Sequence, residues 1–212
     1  MRDCSSLADE LADRLQTDIA PLPESFFDSF EYTSTGSNLT HPVVLGSLSR
    51  FAWGIEGVSV VGIDVHLNRD GIKFQPDIVG YNAALQPLIF LDYESPNSSD
   101  ARVLPKDVDG FCAWSKHAPG VPYLIITTLP DKPASGWELR WTAKGNYNYG
   151  YGGKESRDKL RENPYRFWYD HYVPGFGKRC MNNIAVINIS GRRVSRVFPG
   201  GVSKPGPTAT LV

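Results

Sequence analysis

The sequence predicts an α/β fold with a mixed central β-sheet flanked by helices, and three observations carry that expectation. Two β-branched runs, VSVVGIDVHL (58–67) and IKFQPDIVGY (72–81), flank the turn-forming NRDG, which is the pattern of a hairpin. PLIFLDYE (87–94) starts with unbroken apolar residues, as a strand covered on both faces does. A further apolar run, VPYLIITTLP (121–130), follows a stretch whose Pro105 suits the first turn of a helix.

The other elements follow in order. Leu7, Leu11, Leu15 and Ile19 recur every four residues and predict a helix over about 5–19, ended by APLPES. HPVVLGSLSRFAWGIEG (41–57) reads as a second helix, weakened by Gly46 and Gly54. YNAALQ is a turn, and SPNSSDAR is polar and rich in helix-capping residues. WELRWT (137–142) and IAVINIS (184–190) read as strands decorating the core, with a helix beginning near Lys154 between them. The Gly/Pro-rich tail is an irregular terminus.

A chain of 212 residues with 41% hydrophobic and 21% charged residues can bury a core. No apolar run approaches the roughly 18 residues of a membrane helix, so no membrane partner is expected. The N-terminus has no apolar signal core, and a cytoplasmic location is expected. Cys4, Cys112 and Cys180 form neither a CxxC pair nor a Cys/His cluster and are expected as reduced thiols.

The net charge of −1 conceals a division. Residues 1–139 carry 9 Lys and Arg against 19 Asp and Glu, a balance of −10, whereas residues 140–212 carry 13 against 4, a balance of +9. Within the basic part, GNYNYGYGGKESRDKLRENPYRFWYDHYVPGFGKR interleaves cations with aromatic rings. Cations neutralise phosphates and ring faces stack on bases, so this segment is a candidate nucleic-acid surface with Lys154, Arg157, Arg161 and Arg166 as its contacts.

The apolar runs of FQPDIVGYNAALQPLIFLDYESP (74–96) end in acid. An unpaired buried carboxylate is costly, so Asp77, Asp92 and Glu94 call for a reason. Residues i and i+2 of a strand share a face, which puts Asp92 beside Glu94 with Tyr93 opposite. If the strand carrying Asp77 lies alongside, three carboxylates gather at one sheet end, where Mg²⁺ would offset their repulsion.

Pro76-Asp77, a gap, Leu91-Asp92-Tyr93-Glu94, a helix and another strand together resemble the PD-(D/E)xK nuclease superfamily over about residues 45–130. DYESPNSSDARVLPKD followed by GVPYLIITTLP is similar to a restriction-endonuclease branch of it. The resemblance implies a restriction-endonuclease-like core with C-terminal decoration, within a single domain over 1–212 whose basic aromatic extension spans about 137–198. It implies a Mg²⁺-dependent (or Mn²⁺-dependent) endonuclease acting on DNA, often as a homodimer, with Asp77, Asp92 and Glu94 as metal ligands. The family's lysine is replaced by Glu94. Lys106 on the following helix, Lys73 on the strand of Asp77, and Glu94 itself are the alternatives for its role. A nucleic-acid-binding or protein-interacting domain that has lost cleavage is the second reading. A third is an RNase H-like nuclease using Asp64 of VVGIDVHL; Glu56 and His66 are weaker candidates.

Replacing Lys154, Arg157 and Arg161 together by Ala is expected to weaken nucleic-acid binding. It should also flatten the slope of log affinity against log salt by up to about 3, one unit for each phosphate no longer neutralised. Titrations across a salt series measure both, and an unchanged slope would place the nucleic acid elsewhere.

Overall fold

The computed structural model describes residues 3–23, 26, 36–94, 105–127, 180 and 182–199. Its elements are α1 (Cys4–Ile19), α2 (Gly36–Trp53), β1 (Val60–Ile63), β2 (Leu67–Arg69), β3 (Ile72–Phe74), β4 (Ile78–Tyr81), β5 (Pro87–Glu94), α3 (Pro105–Trp114), a 3₁₀ turn (Ser115–His117), β6 (Tyr123–Thr127), β7 (Ile184–Ser190) and β8 (Arg193–Phe198). Six strands form one mixed sheet in the order β1-β4-β5-β6-β7-β8, and β2 and β3 form a separate ribbon. β5, β6 and β7 run parallel, and the outer pairings are antiparallel. The expected α/β class with a mixed sheet and flanking helices is observed. Among the described residues no helix is long and apolar enough to cross a membrane.

Strand alternation divides the core in two. Ile89, Leu91 and Tyr93 of β5, Leu124 and Ile126 of β6, and Ala185, Ile187 and Ile189 of β7 face α1 and α2. Phe90, Tyr123, Ile125 and Ile184 face α3, whose Val108, Phe111 and Trp114 cover them. The four apolar residues that predicted α1 are all buried, and Asp3 caps its N-terminus by accepting from the Ser6 N–H at 3.0 Å. α1 also covers the edge of the sheet at β8. The Gln16 amide accepts from the Val194 N–H (2.9 Å) and donates to the Arg192 carbonyl (2.8 Å), satisfying backbone groups that would otherwise offer an open edge.

The two long runs of the expected hairpin are each broken in the middle. β1 pairs with β4 from Val60↔Tyr81 to Ile63↔Ile78, and β2 pairs with β3 from Leu67↔Phe74 to Arg69↔Ile72, so one register runs through both pieces. Asp70 and Gly71 close the ribbon with φ of 52° and 77°, the left-handed pair a type I′ turn requires. The ladder is interrupted where Pro76 has no N–H to donate, and Asp64 turns a corner at φ 52°. Two backbone bonds hold the corner, Asp64 N–H to Asp77 O (2.8 Å) and Val65 N–H to Pro76 O (3.2 Å). The outer ribbon thereby packs Phe74, Leu67 and Ile72 into the α3-side core. Lys73 therefore lies exposed on β3, across this corner from Asp77 and on a different strand, contrary to expectation.

β7 and β8 are also not decoration. Both belong to the main sheet, and α1 packs on them, so the core reaches Phe198. Their burial against α1 could not be read from a pattern local to residues 184–198. WELRWT and the helix expected near Lys154 lie outside the described residues. The cysteines need correction too: Cys112 on α3 and Cys180 form a disulfide, with Cα atoms 5.2 Å apart, and only Cys4 is free. A separation of 68 residues carries no local signal. It is the packing of α3 against the residues entering β7 that joins the two.

Closing a loop of that length removes entropy from the unfolded chain worth about 4 kcal/mol. Reduction, or Cys112→Ser, is expected to lower unfolding stability by roughly that amount, read as a fall in the urea midpoint. An unchanged midpoint would mean the bond constrains nothing.

Candidate functional site

The register of β4 with β5, Ile78↔Leu91 and Val79↔Phe90, continued by one step sets Asp77 opposite Asp92. Alternation turns Asp92 towards the α3 side, the side of Phe90 and Tyr123, whereas Asp77 precedes β4 at the sheet end, where α2 also reaches it. The charge of Asp77 bears on Asp92 and favours the neutral form of its carboxyl group. Asp77 Oδ2 accepts from the Tyr93 N–H at 2.8 Å, which pins it to the neighbouring strand.

Asp92 is 4% exposed. Burial, then the charges of Asp107, Asp77 and Glu94, push its carboxyl well above the ordinary 3.8. The Tyr123 hydroxyl donates to Asp92 Oδ2 at 2.7 Å. The same burial, with Asp92 and Asp107 alongside, raises the phenol well above its ordinary value, so it remains a donor. Tyr123 stands opposite Phe90, two residues back along the sheet from Asp92, and its long side chain leans along the strand to reach the carboxyl group.

Glu94 shares the face of Asp92 one step further on and is also buried. In register across the sheet stand Glu94, Thr127 and Asn188, a buried polar row at the C-terminal ends of the three parallel strands. Thr127 Oγ1 donates to Asn188 Oδ1 at 3.0 Å. Ligands of open α/β sheets bind beyond these strand ends. Of the three expected carboxyl groups, Asp77 and Asp92 stand opposite one another in register, and Glu94 lies two residues further along β5 on the face of Asp92. Among the described residues no three His, Cys, Asp or Glu side chains form one metal-holding group. Mg²⁺ is commonly held by one or two carboxylates with water and substrate phosphate completing the shell, and the hard oxygen pair Asp77–Asp92 fits that demand.

Lys106 is the second residue of α3, adjacent in sequence to Asp107. Lys154, Arg157, Arg161 and Arg166 lie outside the described residues. Glu56 follows the end of α2, before β1 begins at the sheet end remote from Asp77, and is exposed. Asp64 is exposed at the hairpin corner. His66 is occupied structurally, its Nδ1 2.7 Å from Gln75 Nε2 across the ribbon.

Four polar residues around the acidic strand ends were not anticipated. Asp107 was legible, because 107, 111 and 114 lie on one helical stripe and the other two are Phe and Trp of the core. Asn188 interrupts an apolar run and could have been marked for that reason. Tyr123 gave no polar signal within its strand. His41 comes from α2, with Nε2 3.9 Å from Asp77 Oδ2 and its ring tilted over Tyr93 at 5.6 Å.

The raised carboxyl has a consequence for stability. As pH rises above 3.8 an unfolded chain loses the Asp92 proton while the folded chain keeps it, so this group's contribution is lost progressively until its raised value is passed. Without divalent ions, Asp92→Asn is expected to melt higher than the parent at neutral pH, with the two curves converging as pH falls towards 3.8. Thermal melts across pH check it; a variant less stable at every pH would refute the assignment.

Comparison with protein-family models, with curated proteins and with solved structures gives no match.

Proposed function

We propose that the chain is a divalent-metal-dependent nuclease hydrolysing phosphodiester bonds of DNA. The observation that carries this reading is the Asp77–Asp92 pair, set opposite one another across β4 and β5 near the C-terminal end of β5, with Asp92 buried. A buried carboxyl in an acidic surround lowers stability, and such arrangements are characteristic of functional sites. The resemblance of Pro76-Asp77 and Asp92-Tyr93-Glu94 to the PD-(D/E)xK pattern supports the choice of chemistry.

On this reading Asp77 and Asp92 hold a Mg²⁺ or Mn²⁺ ion, and Glu94 extends the acidic surface towards Thr127. A bound ion would act as a Lewis acid on the phosphoryl oxygen and offset the repulsion among the carboxylates. The Tyr93 N–H keeps Asp77 oriented. Lys106, at the start of the helix that carries Asp107, is the cation proposed for the role of the family's lysine, and the basic segment with Lys154, Arg157, Arg161 and Arg166 is proposed to hold the DNA backbone. A homodimer would suit cleavage of both strands.

The alternative, a nucleic-acid-binding or protein-interacting domain without cleavage, draws on Glu94 standing where the pattern has lysine. An RNase H-like reading would make Asp64 indispensable, yet Asp64 is exposed at a corner of the edge hairpin.

Supercoiled, linear and single-stranded DNA incubated with Mg²⁺, Mn²⁺ or EDTA separates these readings. The expected outcome is metal-dependent nicking that EDTA abolishes. Asp77→Asn and Asp92→Asn should each lower it by about two orders of magnitude or more, the scale of removing an electrostatic partner of the transition state. DNA binding without any cleavage would favour the inactive domain, and activity abolished only in Asp64→Asn would favour the RNase H-like reading.

A further inference from the structure

The Tyr123 hydroxyl reaches from β6 into the acidic pair, and its position is fixed more firmly than solvation of a core ring requires. Tyr123 is fully buried, and its ring meets Phe74 edge-on at 5.3 Å and lies tilted against Phe111 at 4.9 Å. Those two rings come from the folded-over ribbon and from α3, so three separate elements determine where the phenol oxygen stands. It stands 2.7 Å from Asp92 Oδ2.

We infer that Tyr123 is a positioning residue for the metal site: its hydroxyl holds one oxygen of Asp92 and so fixes the carboxylate plane in the orientation that a divalent ion meets. This rests on the proposed role of Asp92 as a metal ligand. A carboxylate has two equivalent oxygens and a broad χ2, and a donor on one of them selects a single orientation. Asp77 is restrained in the same manner by the Tyr93 N–H, so both members of the pair are held by a donor outside the ion's own shell. A ring that only filled the core would need no hydroxyl at this point, because Phe111 and Phe74 beside it have none.

The test is Mn²⁺ titration by calorimetry of the unmodified protein, Tyr123→Phe, Asp92→Asn and the control Leu11→Ala, in the core on the opposite face of the sheet, each with a melting curve. Phe retains the ring packing, so Tyr123→Phe is expected to melt cooperatively while its Mn²⁺ affinity falls by roughly 10- to 100-fold, the usual effect of removing a group that orients a ligand. Leu11→Ala should lower the melting temperature and leave the affinity unchanged. A second readout needs no variant to fold: Mn²⁺ added to the unmodified protein should produce a tyrosine ultraviolet difference signal that follows the calorimetric isotherm. Wild-type affinity in Tyr123→Phe, or absence of the tyrosine signal despite Mn²⁺ binding, would overturn the positioning role and leave the metal site standing. No Mn²⁺ binding to the unmodified protein, or undiminished binding by Asp92→Asn, would overturn the metal site and the role of Tyr123 with it.

Discussion

A carboxyl group is buried where β4, β5, β6 and α3 meet, and the arrangement of the site follows from what Asp92 needs there. Moving an ionised carboxylate out of water costs several kcal/mol unless partners compensate. The fold supplies a phenol donor from β6, while the charges of Asp107, Asp77 and Glu94 add repulsion instead of relief. The group therefore favours its neutral form. A chain selected for stability alone would place an apolar residue at this position, as it does at Ile125 and Val186 in the row beside Asp92.

The corner in the hairpin connects this site to the rest of the molecule. Had the ribbon continued straight, β2 and β3 would have extended past the sheet end, and Phe74 would not reach Tyr123. Pro76 breaks the ladder at the residue before Asp77, and the single register on both sides of the break lets the ribbon fold over α3 without slipping. The Pro-Asp dipeptide thus has two physical duties. The proline ends the pairing, and the aspartate begins the site.

On the opposite side of the sheet α1 and α2 form a platform. Gln16 ties α1 to β8 by two bonds to its backbone and the turn before it, and Arg50 on α2 reaches Asp18 on α1 at 2.9 Å. Arg196 on β8 adds an ion pair to Asp9 at 2.6 Å, worth about 1 kcal/mol or less because Asp9 is largely exposed. The Cys112–Cys180 bond fastens α3 to the residues before β7. Each tie joins elements distant in sequence, so β5, β6 and β7 are held on both faces and their polar ends are presented as a fixed row.

Periodicity alone determined α1, β5, β6 and the turn between β4 and β5, because each signal lies within ten or so residues: Leu7, Leu11, Leu15 and Ile19 recur at the helical period, and PLIFLDYE is apolar until its acids. The pairing of Asp77 with Asp92 was legible too, since i, i+2 alternation and an adjacent strand suffice to bring two carboxyl groups together. Tertiary structure decided what no local pattern encodes. Tyr123 reaches Asp92 only through the parallel register of β5 and β6; Lys73 leaves the strand of Asp77 only because the hairpin turns a corner; β7 and β8 enter the sheet because α1, from the far end of the chain, covers them. Local sequence fixes backbone periodicity and the face a side chain takes, whereas which faces meet depends on register and burial across the whole chain.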